Sequence, residues 1–286
     1  MSILDKRLHA FRADLADTRL EEQVESERFV VGRPARIAVP VADMRGEPRP
    51  DAGLSTQLLL GEDVIVFEER EGWAWIQSER DSYVGYVAAT ALKARDGPPT
   101  HMVCVPRTFL YPGPDMKLPR SGELSMGTDL VVVGMAENRG TSYALLQSGE
   151  AVIACHLMPA SDHAADYVAV AETLIDTPYL WGGVSAFGLD CSGLVQLAMR
   201  MAGRPAPRDS DMQASGLGEA FQPEPGYSNL QRGDLVFWKG HVAIMTDADN
   251  MIHANGHTML VSREPLREAI DRIGYLYGGP TLFRRP

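Results

Sequence analysis

Apolar and polar positions change rhythm twice along the chain. Over the first 25 residues Leu4, Leu8, Phe11 and Leu15 recur at helical spacing, which predicts an amphipathic helical arm over 1–25. From residue 26 to 97 the rhythm shortens. "LLLGEDVIVFEEREGWAWIQSERDSYVGYVAATAL" holds an apolar run, a charged turn at Glu68 to Gly72, the alternating "WAWIQ", a polar turn and "YVGYVA". That is the cadence of a small antiparallel barrel. The pattern then returns. "LLLGEDVIVF" from Leu58 is echoed by "LSMGTDLVVV" from Leu124, and "YVGYVAATAL" more loosely by "AVIACHLMPA". One repeated strand–turn–strand order predicts two related small β domains, 26–97 and 98–160. "KARDGPPTH" and "MPASDHAAD" read as their connections.

From Asp162 the texture changes again. "DHAADYVAVAETLID" has helical spacing at Tyr167, Val170, Ala171 and Leu174, and "TPYLWGG" interrupts it. A second helix follows Cys191, with Leu194, Leu197, Ala198 and Met201 on one face and Gly203 and Pro205 at its end. Strand candidates then run over 233–238, 241–246 and 251–255. Helix first and antiparallel sheet after is an α+β order for 161–286.

The chain has 286 residues, room for two or three domains. Its formal net charge of −11 repels phosphate backbones and anionic lipid surfaces, so neither nucleic acid nor membrane is an expected partner. The start carries no apolar segment of signal-peptide length, and no run approaches a membrane span. Three widely spaced cysteines, Cys104, Cys155 and Cys191, do not make a disulfide framework. The expected compartment is the cytoplasm.

Cys191 stands where a glycine-rich loop meets a helix, in "WGGVSAFGLDCSGLVQLAMRMAG". Helix N-termini offer unpaired N–H groups and partial positive charge, which favour a thiolate and can hold an oxyanion. A thiolate is the nucleophile, and it needs a base and a group to orient that base. "GHVAIM" places His241 at the start of one candidate strand, and "MIHANG" places His253 on the next. In a hairpin the two imidazoles lie side by side, one as base and the other holding its tautomer. His253, His257, His241 and Cys191 also make a formal zinc set, but the His-x3-His lies on a strand-to-turn segment and no paired cysteines accompany it.

In order, "YLWGG", "DCSG", "RDS", "GDLVFW", "HVAIM" and "IHANG" over about 165–280 resemble the NlpC-type, papain-like cell-wall cysteine peptidases. With the preceding β domains, the chain is similar to the γ-D-glutamyl-L-diamino-acid endopeptidases of dipeptidyl-peptidase VI type. The resemblance implies a papain-like domain, helix packed on antiparallel sheet, behind two small SH3-like β-barrel domains. It implies cleavage between D-Glu and the diamino acid of murein peptides such as L-Ala-γ-D-Glu-meso-diaminopimelate. A free N-terminal L-Ala is required because an SH3-like domain walls off the cleft. No metal or organic cofactor is needed, and the role is cell-wall peptide recycling.

By the same resemblance Cys191 is the nucleophile, His241 the base and His253 the orienting residue. Tyr179 lines the oxyanion side. Asp190 and Ser192 contact substrate beside the nucleophile, and Asp209 and Ser210 meet its amine end and D-Glu. Tyr83 helps close the amine pocket, with Glu62 one candidate for an acidic partner. On the residues alone, Asp190, Ser192, Asp209 and Ser210 also fit helix capping. Tyr179, Tyr83, Trp73 and Trp75 also fit core packing, as do Cys104 and Cys155. Two other activities stay open: an amidase or acyltransferase of the same layout, and a binding scaffold with an inactive peptidase fold.

Overall fold

Between Arg33 and Lys93 alternating burial yields seven strands. Their hydrogen-bonded order is Leu54–Leu59, Val41–Arg45, Val84–Ala88, Trp73–Ser78, Asp63–Arg70, Arg33–Ile37 and Leu92–Lys93, with every pairing antiparallel. The protein is seen here as a computed structural model describing residues 4–286. It divides into two compact units at Ser161 and Asp162. Among the described residues no helix is long and apolar enough to cross a membrane.

The internal echo becomes a repeated order of elements. In the first copy the sequence is Asp63–Arg70, Trp73–Ser78, Val84–Ala88, the 3-10 turn Ala89–Ala91 and Leu92–Lys93. In the second it is Val132–Asn138, Thr141–Leu146, Ala151–Ile153, the 3-10 turn Ala154–His156 and Leu157–Pro159. Gly61 and Gly127 take φ of 89° and 82°, a region closed to most side chains. Each sends its N–H back to the end of a strand earlier in the chain, to Ile37 O at 3.1 Å and Val103 O at 2.9 Å. Where Gly61 approaches Asp129, two acids meet, Glu62 buried and Asp129 partly exposed. Glu62 Oε1 lies 2.8 Å from Arg80 and Asp129 Oδ2 lies 3.7 Å from it. Burial raises both carboxyls against the pull of Arg80, Asp129 to about 7.

Two expectations change. Residues 4–25 are not a helix but turns, a two-residue strand Ala16–Asp17 and a 3-10 turn Thr18–Leu20, and residues 1–3 of the expected arm lie outside the described residues. Asp5 starts the departure, because its side chain accepts from Arg7 N–H at 2.8 Å and so offers the backbone an alternative to a helix. The apolar positions are used differently. Leu15 and Ala10 are buried against Phe67 and Trp75, and Arg12 lies 4.4 Å over the Trp75 ring while bonding Glu68 at 2.7 Å. Cys155 is also not core. It is exposed on the turn Ala154–His156, and Cys104 is half-buried.

The second unit is built on six antiparallel strands. Their order is Glu219–Phe221, Leu282–Arg285, Leu235–Trp238, His241–Met245, Asn250–Asn255 and Leu260–Pro265. The helix Cys191–Met201 is buried on nearly every side and packs on the strands His241–Met245 and Asn250–Asn255. The amphipathic helix Leu266–Tyr277 lays Leu266, Ala269 and Ile273 against Val236, Trp238, Ala243, Met245 and Met251. Both the last strand and this helix lie beyond the elements predicted from the sequence.

Candidate active site

Asp190 explains why a glycine-rich loop precedes the nucleophile. Its carboxylate accepts from Gly182 N–H at 2.9 Å and from Gly193 N–H at 2.7 Å, so one side chain ties the loop to the first turn of the helix. Glycine is needed at 193, since a Cβ there would stand 2.1 Å from Gly183 O. Beneath this knot the guanidinium of Arg208, 1% exposed, reaches both Asp190 oxygens at 3.1 and 2.6 Å and Ser192 Oγ at 2.9 Å. Ser192 Oγ donates in turn to Asp190 at 3.2 Å. Asp190 and Ser192 are thus buried and engaged in holding Cys191 in place. Gln213, also buried, bonds Ser192 O and Pro207 O at 3.0 and 2.8 Å and closes the floor.

The strand pairing supplies the imidazoles. Trp238 pairs with His241 across the turn Lys239–Gly240, where Gly240 takes φ of 74°. Met245 pairs with Met251, so residues 241 and 253, each an even number of positions along, share one face. His241 Nε2 lies 2.8 Å from His253 Nδ1. On its other side, His253 Nε2 lies 2.7 Å from Glu264 Oε1, and Arg272 pairs with the same oxygen. The two atoms are close, but His253 Nε2 lies off the line of an aligned hydrogen bond. Tilted on His241, with ring centroids 5.8 Å apart, the buried Trp238 covers the base.

Charge is expensive in this enclosure. Burial pushes the Cys191 thiol up to about 12, and Asp190 adds to the rise against the N–H of Val242, Arg208 and the N–H of Ser192. Burial pushes His241 down to about 3, with His253 and Arg272 acting the same way and Glu264 opposing. Burial therefore works against the field of the helix N-terminus and against charge on either group. The thiol proton must move to the base as the sulfur attacks. Because Nε2 of His241 faces His253, Nδ1 is the nitrogen left to receive it.

Tyr179 is half-buried, and its hydroxyl is pushed up to about 12 by burial first and then by Cys191 and Asp190. It lines a cavity of about 590 Å³ with Trp181, Trp238, Lys239, His241, His253 and Arg272. Among the described residues no carboxylate lines this cavity and the buried Trp238 Nε1 has no hydrogen-bond partner, and Lys239 is exposed at the rim. Asp209 occupies the N-cap position of the short helix Ser210–Gly216, but its side chain does not cap it; Ser210 opens that helix. Tyr83 belongs to the first unit and is 6% exposed. Glu62, 5% exposed and bound to Arg80, is committed within the first unit rather than open to an outside amine. His257 lies on an exposed turn after Asn255. Glu264, Arg272, Arg208 and Lys239 were not singled out from the sequence. Only Arg208 had a signal there, as the unassigned first residue of "RDS".

A buried cysteine opening a helix, packed on an antiparallel sheet that carries two bonded histidines, defines a papain-like cysteine peptidase unit. Residues 176–272 match the NlpC/P60 family and residues 44–92 match the bacterial dipeptidyl-peptidase Sh3 domain. The chain is a cysteine peptidase whose catalytic unit carries the NlpC/P60 match, with an SH3-like match before it. It is similar to the gamma-D-glutamyl-L-lysine dipeptidyl-peptidase of Bacillus cereus, 29% identical over 70% of this chain and 67% of that one. It is also similar to dipeptidyl-peptidase 6 of Lysinibacillus sphaericus, 26% identical over 85% of this chain and 99% of that one. Among solved structures, an NlpC/P60 family protein from Bacillus cereus superposes with a TM-score of 0.73 at 25% identity, covering 88% of this chain and 99% of that one.

Proposed function

We propose that the chain is an endopeptidase that cuts the γ-D-Glu–diamino acid bond of free murein peptides, releasing L-Ala-D-Glu. The observation that carries this reading is the His241–His253 contact in the wall of a cavity lined by cations and aromatic rings, with Cys191 meeting the N–H of Val242 next to His241, in a chain similar to dipeptidyl-peptidases along most of its length. The Cys191 sulfur attacks the γ-carbonyl carbon of D-Glu while its proton passes to His241 Nδ1. The tetrahedral oxyanion is held by N–H groups of the nucleophile helix and the Tyr179 hydroxyl. Collapse breaks the C–N bond as His241 returns the proton to the leaving amine. Water, deprotonated by His241, then opens the thioester and restores the thiol.

The cavity supports a leaving group of diaminopimelate type. Lys239 and Arg272 suit the additional carboxylate of diaminopimelate, whereas lysine would bring only its ammonium there. Removal of a dipeptide requires recognition of a free N-terminal amine. In this reading Asp209 and Ser210 serve that end of the substrate, and residues 98–160 form a second SH3-like domain. The role is recycling of cell-wall peptides in the cytoplasm.

The test uses L-Ala-γ-D-Glu-meso-diaminopimelate and its N-acetylated form, with wild-type protein and Cys191→Ser, products read by mass spectrometry. L-Ala-D-Glu should appear from the free-amine peptide alone and only with wild type. Equal cleavage of both peptides would remove the amine requirement. Cleavage of another amide instead would favour the amidase or acyltransferase reading.

A further inference from the structure

We propose that Glu264 is a positioning residue for this reaction: it fixes the proton of His253 on Nε2, so that the Nδ1 lone pair faces His241. The inference rests on the reading of Cys191 and His241 as nucleophile and base, and deepens it by one residue.

The geometry comes from the sheet. His253 pairs directly with Ser262, and Met251 pairs with Glu264. Glu264 is thus two residues along from Ser262, on the same face as His253 and diagonal to it, within reach of a long side chain. A carboxylate has acceptors only, so an imidazole nitrogen 2.7 Å away must carry a proton. With Nε2 protonated and His253 neutral, Nδ1 is an acceptor. His241 Nε2, 2.8 Å away, must then donate to it. That leaves His241 Nδ1 unprotonated in the resting state, ready for the thiol proton. Reversing the His253 tautomer would turn its Nδ1–H toward His241 Nε2, protonate His241 on Nδ1 and remove the acceptor the thiol needs.

The surroundings give His253 no competing arrangement. It is 1% exposed, Nε2 makes no aligned hydrogen bond among the described residues, and the carboxylate oxygen of Glu264 stands 2.7 Å from it. Glu264 stays ionised: burial raises its carboxyl, but His253 and Arg272 outweigh that and hold it below the usual range. Arg272, on the helix Leu266–Tyr277, keeps the carboxylate turned inward and compensates its charge. When His241 becomes an imidazolium during attack, the Glu264 charge lies two bonded steps away and opposes the cost of that cation.

The direct reading is the ¹⁵N shifts of His253 in the full-length protein, which need neither turnover nor a variant. Nε2 should be pyrrole-like and Nδ1 pyridine-like; the opposite tautomer overturns the proposal. Kinetics on the tripeptide then compare Glu264→Ala and Glu264→Gln. The alanine variant should lose roughly 10- to 100-fold in kcat with KM within about twofold. Glutamine, whose amide oxygen can accept the same N–H, should stay within about fivefold of wild type. Wild-type kcat in Glu264→Ala, or glutamine falling as far as alanine, contradicts the assignment. Activity surviving in Cys191→Ser would instead sink the peptidase reading while leaving the His253 tautomer standing.

Discussion

The nucleophile side and the base side of the candidate site each hold a carboxylate–guanidinium pair, and the two pairs differ in kind. Asp190 and Arg208 have side chains 11% and 1% exposed, and Asp190 accepts from two backbone N–H groups, a hydroxyl and both ends of the guanidinium. Glu264 and Arg272 are 21% and 29% exposed, and one carboxylate oxygen serves both Arg272 and His253. A saturated buried pair has no freedom to answer a change of charge, so it holds backbone. A half-exposed pair with one oxygen shared can strengthen its hold on a proton when the reaction demands it. Breaking a buried pair leaves an uncompensated charge, whereas a half-exposed one relaxes into solvent.

The largest effect should fall on the base side, at the group that moves the proton. His241→Ala is expected to lower kcat by about 10³-fold or more in a protein that melts like wild type, read by steady-state kinetics beside a thermal scan. Arg208→Met tests the other pair. It strands the Asp190 carboxylate and should cost about 3–5 kcal/mol, seen as a clear drop in melting temperature. Kinetic loss in Arg208→Met without loss of stability would erase the contrast between the pairs. Smaller than either is the Glu264→Ala loss described above, which should come with little change in melting temperature.

At the cavity rim, Lys239→Glu should raise KM for the diaminopimelate peptide by roughly 5- to 10-fold and not for its lysine counterpart, fading in high salt as exposed charge effects do. An equal rise for both peptides would take Lys239 out of substrate selection. The smallest effect lies in the first unit. Burial lifts the Glu62 and Asp129 carboxyls above their unfolded values of 4.5 and 3.8, Asp129 to about 7. The folded state then binds more protons than the unfolded chain between about pH 4 and 7, so stability falls as pH rises through that window. The unfolding temperature of this unit should drop by a few degrees between pH 5 and 8, and Asp129→Asn should flatten that slope.

Much of the catalytic unit was legible because its signals are local. Short apolar runs marked the strands around Val236, Ala243 and Ile252, and scarce chemical groups on short motifs marked Cys191, His241 and His253. Glu264 was not legible, since its role arises from a diagonal across two strands whose register is set by tertiary packing; Glu and Arg on an exposed-looking "VSREPLREA" carry no such information. Arg208 was hidden for the same reason, its partner lying 18 residues away in sequence. The arm failed differently. Leu15 does serve the core, as its spacing promised, but Asp5 competes for the backbone and Arg12 is drawn to Trp75 and Glu68.

The central claim is that Cys191 carries the acyl group, and trapping that intermediate tests it most directly. Wild-type protein is mixed with L-Ala-γ-D-Glu-meso-diaminopimelate, quenched in acid at early times and digested for mass spectrometry. The account predicts an L-Ala-γ-D-Glu thioester on the peptide containing Cys191, lost at the rate of dipeptide release. Rapid release of dipeptide with no adduct at Cys191, or with the same rate in Cys191→Ser, would contradict it.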